Sequence, residues 1–196
     1  MGASSSLPEI QSFDVEGAPA VAGEGVPRRC APGHIVPKTS KLGGDVDNLY
    51  SMFAKSAEKF AGNECMGKRP VLADGTLGPF EWTTYKQCMD KILTIGSGLA
   101  GLGIGKGDTY GIYAANSMDW ACAGLSGWQV GATLVPVYDT LGDNIVQYEV
   151  NHAEMKIIFV EKKKIGGVLS VLKDCPTLKT VVQFEPLGGH VRVTSV

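Results

Sequence analysis

The fold is decided by residues 110–137, YGIYAANSMDWACAGLSGWQVGATLVPV. Two apolar runs, residues 110–114 and 133–137, have the length and composition of buried strands. Between them lies an uncharged segment that Asn116 or Ser117 can cap as a helix and that ends at Gly131. A strand, a helix and a second strand of this kind indicate a βαβ unit, and therefore a parallel sheet.

The same alternation extends toward both ends of the chain. Downstream, the pattern predicts a helix over about residues 143–152, a strand over 156–160, a helical stretch near 164–172 and a strand over 180–184. Upstream, it predicts a helix from Asp47 to about Ala61, two short strands at 71–72 and 80–83, and a helix that Thr84 and Gln87 open as a capping box. The expected fold class is α/β, a partial doubly wound parallel sheet with flanking helices and a small β element at its start. We assign residues 47–196 to one incomplete α/β subdomain.

Residues 1–46 have a different composition, rich in Gly, Pro, Ser and Ala, with little apolar periodicity. Such a segment buries too little apolar surface to offset its ordering entropy, so we expect a flexible N-terminal tail. The opening Met1 to Ser6 fits the N-myristoylation pattern, with Gly2 as the acceptor. Peripheral membrane attachment through Gly2 is therefore one hypothesis, and a chance match to a permissive motif is the other.

The overall composition is that of a globular protein, with 44% hydrophobic residues and a formal net charge of −2. This balance argues against a nucleic-acid partner, which requires a basic surface. The five cysteines are widely spaced and never form CxxC, so we expect reduced, mostly buried thiols in an intracellular protein. The uncharged run from Trp120 to Tyr138 has the length of a membrane span, but its glycines and polar residues favour a buried helix followed by a buried strand.

Two glycine motifs resemble nucleotide-binding signatures but lie in the wrong context. Residues 96–101 spell GxGxxG inside a predicted helix, where small residues favour close packing rather than dinucleotide binding. Gly107 stands where a phosphate-binding loop needs Ser or Thr. We therefore predict no catalytic residue, no cofactor-binding residue and no metal ligand in this chain.

One loop remains as a candidate site. Tyr138, Asp139 and Thr140 follow a predicted parallel strand, and open α/β sheets place ligand-facing loops at the carboxyl ends of their strands. We retain these three residues as a ligand-proximal loop, with a plain helix cap as the alternative.

Several segments in order resemble long-chain fatty acyl-CoA synthetases, within the adenylate-forming (AMP-binding) superfamily. The matching segments are FEWTTY at 80–85, LGIGKGD at 102–108, GIYAAN at 111–116, GATLVPV at 131–137 and YDTLG at 138–142. The last of these is similar to the long-chain branch in particular. The resemblance covers about residues 47–184.

This resemblance implies ATP-dependent conversion of a fatty acid to an acyl-adenylate, followed by transfer to coenzyme A. Fatty acid, ATP, Mg²⁺ and coenzyme A would then be the substrates and cofactors of the full-length form. It also implies an intracellular location, with the cytosolic side of the endoplasmic reticulum or another organelle membrane as one site of peripheral association.

The family's phosphate loop, aromatic-Gly-x-Thr-Glu segment, ribose-binding Asp, hinge and C-terminal lysine do not occur in this sequence. We therefore expect a truncated, inactive portion of such a ligase that binds none of these cofactors itself. A non-catalytic binding or regulatory module derived from the family is the alternative. A free-standing Rossmann-type oxidoreductase is disfavoured by the misplaced GxGxxG.

Overall fold

A computed structural model describes residues 12–19, 21–30, 46–142 and 144–186. The helices are α1 (Leu49–Lys59), α2 (Tyr85–Gly101), α3 (Met118–Gln129), α4 (Ile145–His152) and α5 (Ile165–Val171). The strands are β1 (Ser12–Asp14), β2 (Arg28–Cys30), β3 (Glu64–Lys68), β4 (Glu81–Thr84), β5 (Thr109–Tyr113), β6 (Thr133–Pro136), β7 (Ile157–Val160) and β8 (Thr180–Gln183). Short 3₁₀ turns span Asp139–Leu141, Lys162–Lys164 and Leu172–Asp174.

The centre of the fold is a four-stranded sheet in the order β6-β5-β7-β8. All three pairings are parallel, with Tyr113 opposite Val160 and Val160 opposite Gln183 at the carboxyl edge. This arrangement confirms the predicted α/β class with a parallel sheet and flanking helices.

Both faces of the sheet are covered, because successive residues of a strand point to opposite sides. On one face, Ile112 and Phe159 pack in a cluster that also contains Leu99 of α2 and Ala123 of α3. On the other face, Ile158 packs with residues of α4 and α5. Strands β5 and β7 are therefore almost wholly apolar, as strands buried on two faces require.

Local polar residues begin the helices where the sequence predicts. Thr84 accepts a hydrogen bond from the Gln87 N–H, and the Gln87 side chain accepts one from the Thr84 N–H, so the predicted capping box is confirmed. The Ser117 side chain accepts a hydrogen bond from the Trp120 N–H at the start of α3. Each contact satisfies a backbone donor that the first helical turn leaves without an intrahelical partner.

The small β element differs from its prediction. Its first strand is β3, which pairs antiparallel with β4. The prediction that residues 71–72 form this strand is wrong. Val71 instead forms a single bridge with Leu77. Pro70 explains the difference, because proline has no N–H to continue a ladder beyond Lys68. The predicted turn does occur at Asp74-Gly75, where Gly75 has a φ of 83°.

Two parts of the predicted flexible tail, residues 12–19 and 21–30, lie within the described structure. There β1 and β2 form a two-stranded antiparallel pair that the composition did not predict. Arg28 strengthens it through an ion pair of 2.7 Å with Asp14, but both side chains are exposed. An isolated pair of three-residue strands is marginal in water. Gly2, the candidate lipidation site, lies outside the described residues.

The long uncharged run from Trp120 to Tyr138 forms α3 and then β6, as predicted. Within the part of the chain that the structure describes, no helix has the length and apolarity needed to cross a membrane.

Candidate functional site

At the carboxyl edge of the sheet, the connections that follow two neighbouring strands run to opposite faces. The helix after β5 lies on one face of the sheet, and the helix after β7 lies on the other. Because β5 and β7 are neighbours, their connections diverge and leave a crevice between the two strand ends. This topological switch is where open α/β sheets place their ligands.

Three side chains from the two strand ends meet at this crevice. The Glu161 N–H donates a hydrogen bond of 3.2 Å to the Tyr113 carbonyl, which holds the two strand ends together. The Lys164 Nζ lies 4.5 Å from the centroid of the Tyr113 ring and 3.4 Å from Glu161 Oε1. The Lys164 and Glu161 side chains are only 16% and 14% exposed. A largely buried ammonium is thus matched by a carboxylate and an aromatic face, as its desolvation requires.

The lysine run at 162–164 has the charge pattern of a solvated helix start, but the Lys164 side chain is only 16% exposed. The run forms a 3₁₀ turn that folds Lys164 back over the strand end, while Lys163 stays 71% exposed. The Lys162 N–H donates a hydrogen bond of 2.7 Å to Glu185 Oε2, which ties this turn to the segment after β8.

A groove of about 280 Å³ lies beside Tyr113. Its walls come from the start of α4, including Asn144, and from α5, including Ser170. Gly142 also lines it and has a φ of 119°, a backbone conformation that glycine adopts without a steric penalty. The groove is therefore bounded by the loop after β6 and by two helices of one face.

The predicted ligand-proximal residues lie at this same edge of the sheet. Asp139 and Thr140 form the 3₁₀ turn with Leu141, directly after β6. The side chains of Tyr138 and Thr140 are exposed, and neither lines the groove. Among the described side chains and glycines of this loop, Gly142 is the one that lines the groove. The loop has the predicted position, while its role with a ligand stays a prediction.

Sequence reasoning missed the contact of Tyr113 with Lys164 and Glu161. The available signal was an aromatic residue at the end of one parallel strand and a glutamate-lysine run at the end of another. Strand order is needed to use this signal, because β5 and β7 are neighbours in space and not in sequence.

The described residues at this edge suit positioning rather than bond-making chemistry. The Lys164 charge is compensated by Glu161, so it is not a free base or a free anion-binding group. In the described ranges, no group of three or more His, Cys, Asp or Glu side chains is arranged to hold a metal ion.

The chain matches known proteins over most of its length. Residues 53–192 match the family described as AMP-binding enzyme. Long chain acyl-CoA synthetase 2 of Arabidopsis thaliana is 36% identical over 146 residues, which are 74% of this chain and 22% of that protein. Fatty acyl-CoA synthetase A of Dictyostelium discoideum is 34% identical over 179 residues, covering 91% of this chain and 26% of that protein.

The solved structures agree on the fold. The adenylation domain of a carboxylate reductase from Mycobacterium chelonae superposes with a TM-score of 0.66 at 15% identity, covering 74% of this chain and 24% of that one. The chain spans about a quarter of the length of the curated relatives it matches. It belongs to the family of AMP-binding enzymes and is related to the N-terminal part of long-chain acyl-CoA synthetases.

Proposed function

We propose that this chain is the N-terminal scaffold of an ATP-dependent long-chain fatty acid–CoA ligase, and that it has no ligase activity by itself. The observation that carries the proposal is the family match over residues 53–192, together with relatives named as acyl-CoA synthetases at 34–37% identity. In the complete enzyme, this part would supply the sheet on which later segments assemble the site for fatty acid, ATP and coenzyme A.

The described residues do not form a site for the ATP phosphates or for Mg²⁺. The glycine–lysine loop at residues 105–107 precedes β5 and so lies at the amino edge of the sheet, opposite the crevice. Its Gly105 N–H already donates to Asp108 Oδ2 at 2.9 Å. A phosphate would need free N–H groups and would be repelled by that carboxylate. The reaction chemistry is therefore assigned to parts of the enzyme that this sequence does not include.

The role proposed for this chain is mechanical. The hydrogen bond from the Glu161 N–H to the Tyr113 carbonyl joins the carboxyl ends of β7 and β5, and the hydrogen bond from the Lys162 N–H to the Glu185 carboxylate joins the turn after β7 to the segment after β8. A fixed edge of this kind positions the loops of the remaining enzyme, and catalytic geometry tolerates displacements of only about 0.5 Å.

The first experiment measures acyl-CoA formation by the purified 196-residue chain with palmitate, ATP, Mg²⁺ and coenzyme A. We expect no product above an enzyme-free control. Turnover dependent on both ATP and coenzyme A would overturn the proposal that this chain lacks the reaction machinery.

The second experiment tests the scaffold role directly. Residues 47–186 replace the matching segment of the Arabidopsis relative, and the chimaera is assayed beside the parent enzyme and a form lacking that segment. We expect the chimaera to make acyl-CoA and the deletion form to make none. A folded chimaera without activity would contradict a ligase scaffold and favour a non-catalytic binding module.

The cellular location that we propose rests on the ligase family and on the N-terminal tail. We propose an intracellular protein that associates peripherally with the cytosolic side of an organelle membrane, with Gly2 as the candidate lipid acceptor. Mass spectrometry of the N-terminus from native cells checks it, because an unmodified Gly2 would remove the proposed anchor.

A further inference from the structure

The hairpin of β3 and β4, residues 64–84, presents large apolar side chains to solvent. These side chains are 45–70% exposed, and we call them the hairpin patch: Val71, Leu72, Leu77, Phe80 and Trp82. The Phe80 and Trp82 rings stack on each other, with 5.4 Å between their centroids and 26° between their planes. Single exposed apolar residues are common on protein surfaces, but a group of them on one hairpin indicates an interaction site.

Glycines in the hairpin let the apolar side chains lie flat against its backbone. A Cβ atom at Gly67 would lie 2.8 Å from a ring carbon of Trp82 and 3.1 Å from a ring carbon of Phe80. Both rings therefore lie across β3 at the point where it has no side chain. A Cβ atom at Gly78 would lie 3.1 Å from the Leu72 side chain in the same way. The patch is thus a broad apolar surface, formed without a partner.

The backbone polar groups beside the patch are partly satisfied within the hairpin itself. The Gly78 N–H donates a hydrogen bond of 2.9 Å to the Pro70 carbonyl. The Arg69 guanidinium donates hydrogen bonds of 2.8 Å to the carbonyls of Leu77 and Gly78. Pro70 and Pro79 have no N–H to offer. A partner that adds a β-strand needs a row of free backbone groups, whereas a lipid needs none, so these contacts favour a lipid surface.

The charge next to the aromatic rings complements a phosphate. The guanidinium carbon of Arg69 lies 5.9 Å from the centroid of the Phe80 ring. In the ranges that the structure describes, Arg69 has no carboxylate partner, and its remaining N–H groups can bind a headgroup phosphate. Glu81 is opposite Lys68 in the ladder, on the other face from Trp82, because adjacent residues of a strand alternate.

The turn of the hairpin determines which of its sides can meet a bilayer. The Asp74 carboxylate accepts hydrogen bonds from the Thr76 hydroxyl at 2.7 Å and from the Thr76 N–H at 2.9 Å. Moving an ionised carboxylate from water into hydrocarbon is very costly. The side of the hairpin with the aromatic rings, rather than its tip, is therefore the surface suited to lipid.

The hairpin leads into α2 at the same end of the molecule as the crevice. Lys91 of α2 is ion-paired with Asp119 in the first turn of α3. Further along both helices, Gly96 lies against Gln129 at the end of α3. The two helices therefore run side by side in the same direction. Since α3 begins after the carboxyl end of β5, the start of α2 also lies at the carboxyl edge of the sheet.

We propose that the hairpin patch is a docking surface for a phospholipid bilayer, with Phe80 and Trp82 in the interfacial layer and Arg69 at the phosphates. Aromatic side chains favour this layer, which is apolar on one side and wet on the other. A single myristoyl chain at Gly2 would bind a bilayer only marginally, and a second contact makes attachment stable. The contact would turn the carboxyl edge of the sheet toward the membrane as a source of fatty acid. That consequence rests on the proposed ligase function, whereas the bilayer contact does not.

The test floats the 196-residue chain, made without N-terminal lipid, with phosphatidylcholine vesicles in the absence of ATP and coenzyme A. The test variant combines Phe80→Ser with Trp82→Ser, at side chains that are 56% and 48% exposed. The control combines Tyr148→Ser with Leu169→Ser, which are 61% and 54% exposed on the helices of the other face. We expect the control to bind like the parent chain and the test variant to bind about tenfold more weakly, because it loses two apolar contacts.

A second measurement follows one side chain and does not depend on comparing the stability of variants. Vesicles with brominated acyl chains quench the fluorescence of a tryptophan that reaches the bilayer. We expect quenching in the parent chain and its loss in Trp82→Phe, which keeps an aromatic ring and should still bind. Trp120 and Trp128 remain in this variant as tryptophans that do not meet the lipid.

The chimaera of residues 47–186 with the Arabidopsis relative tests the patch in a complete enzyme. Phe80→Ser with Trp82→Ser should lower its vesicle binding and leave acyl-CoA formation in vesicle-free solution unchanged. Loss of activity in solution, relative to the unsubstituted chimaera, would mean that the rest of the ligase covers the patch, and would overturn the proposal. If the unsubstituted chimaera makes no acyl-CoA, the scaffold role fails, while flotation of the 196-residue chain still decides the bilayer contact.

Three further results would overturn the proposal. The first is a parent chain that does not float with the vesicles. The second is an equal loss of binding in the test variant and in the control. The third is quenching that persists in Trp82→Phe, because another tryptophan would then be the one that meets the lipid.

Discussion

Gly127 of α3 offers the sharpest test of how the sheet packs on its helices. A Cβ atom at this position would lie 2.1 Å from the hydroxyl oxygen of Tyr110 and 2.2 Å from two of its ring carbons. The Tyr110 ring is completely buried, and its hydroxyl donates toward the carbonyls of Ala123 and Gly124 at 3.2 and 3.0 Å. A rigid ring in this position cannot move aside, so Gly127→Ala forces α3 away from β5.

The expected loss of stability follows from opposing contributions. Overpacking a core costs about 1–3 kcal/mol, and leaving a buried hydroxyl without its acceptors costs about 1–3 kcal/mol. In the opposite direction, alanine in place of glycine within a helix raises the free energy of unfolding by about 1 kcal/mol, because alanine has the higher helix propensity. The net expectation is a decrease of about 3 kcal/mol in the free energy of unfolding.

Gly98→Ala is the matched control, because it makes the same chemical change in α2. No atom lies within 4 Å of a Cβ built at Gly98, apart from its own chain neighbours and the backbone of its helix. This variant should gain about 1 kcal/mol from helix propensity alone. Urea unfolding followed by circular dichroism compares both variants with the parent chain. With a slope of about 2 kcal/mol per molar urea, Gly127→Ala should unfold about 1.5 M earlier and Gly98→Ala slightly later.

The reasoning is refuted if Gly127→Ala unfolds at the same urea concentration as Gly98→Ala. A further variant examines the cause: Tyr110→Leu combined with Gly127→Ala should recover part of the loss, because the ring that meets the new methyl group is gone. If the double variant is less stable by the sum of the two single changes, the clash with Tyr110 is not the origin of the effect.

Three further predictions concern a cap, an ion pair and a pH dependence. Thr84→Ala should lower the unfolding free energy by about 1 kcal/mol in urea titrations, because α2 loses its capping box; an unchanged midpoint would contradict the cap. Lys164→Met should lower the free energy of unfolding by about 2 kcal/mol, because it leaves the Glu161 carboxylate largely buried without this partner. Lys163→Met changes a side chain that is 71% exposed and should leave the free energy of unfolding almost unchanged. Equal effects of the two substitutions would contradict this account of the crevice. The Lys156 ammonium lowers the pKa of Asp108, so this pair stabilises the fold above the unfolded pKa of about 3.9 and stops doing so as pH falls through the lowered value. Lys156→Met should therefore destabilise the chain more at pH 6 than at pH 2, and an equal difference at both pH values would refute the linkage.

Much of the fold was predictable because its determinants are local. The apolar runs at 110–114, 133–137, 156–160 and 180–184 all became parallel strands, with ends within a residue or two. Thr84 and Ser117 cap helices through atoms only three residues away, so the printed sequence contains both partners. The GxGxxG segment lies in a helix as predicted, and its Gly96 lies against the Gln129 side chain, where small size matters.

The failures share one physical cause. The partner of β4 was placed at 71–72 because those residues are apolar, but pairing depends on register and on backbone N–H groups that Pro70 does not have. The charged neighbours of Lys164 suggest a solvated side chain, but a 3₁₀ turn places it over the Tyr113 ring. In each case, the deciding interaction joins residues that local periodicity cannot relate.

The sequence alone thus determined the element order, the parallel α/β class and the family, since alternation, caps and ordered motifs are short-range properties. Tertiary structure alone decided which strand ends share the crevice and which side chains meet there. Tyr113 and Lys164 are far apart in sequence and meet only because β5 and β7 pair side by side in the sheet. Contacts of that kind depend on the path of the chain through space, and no spacing in the sequence records them.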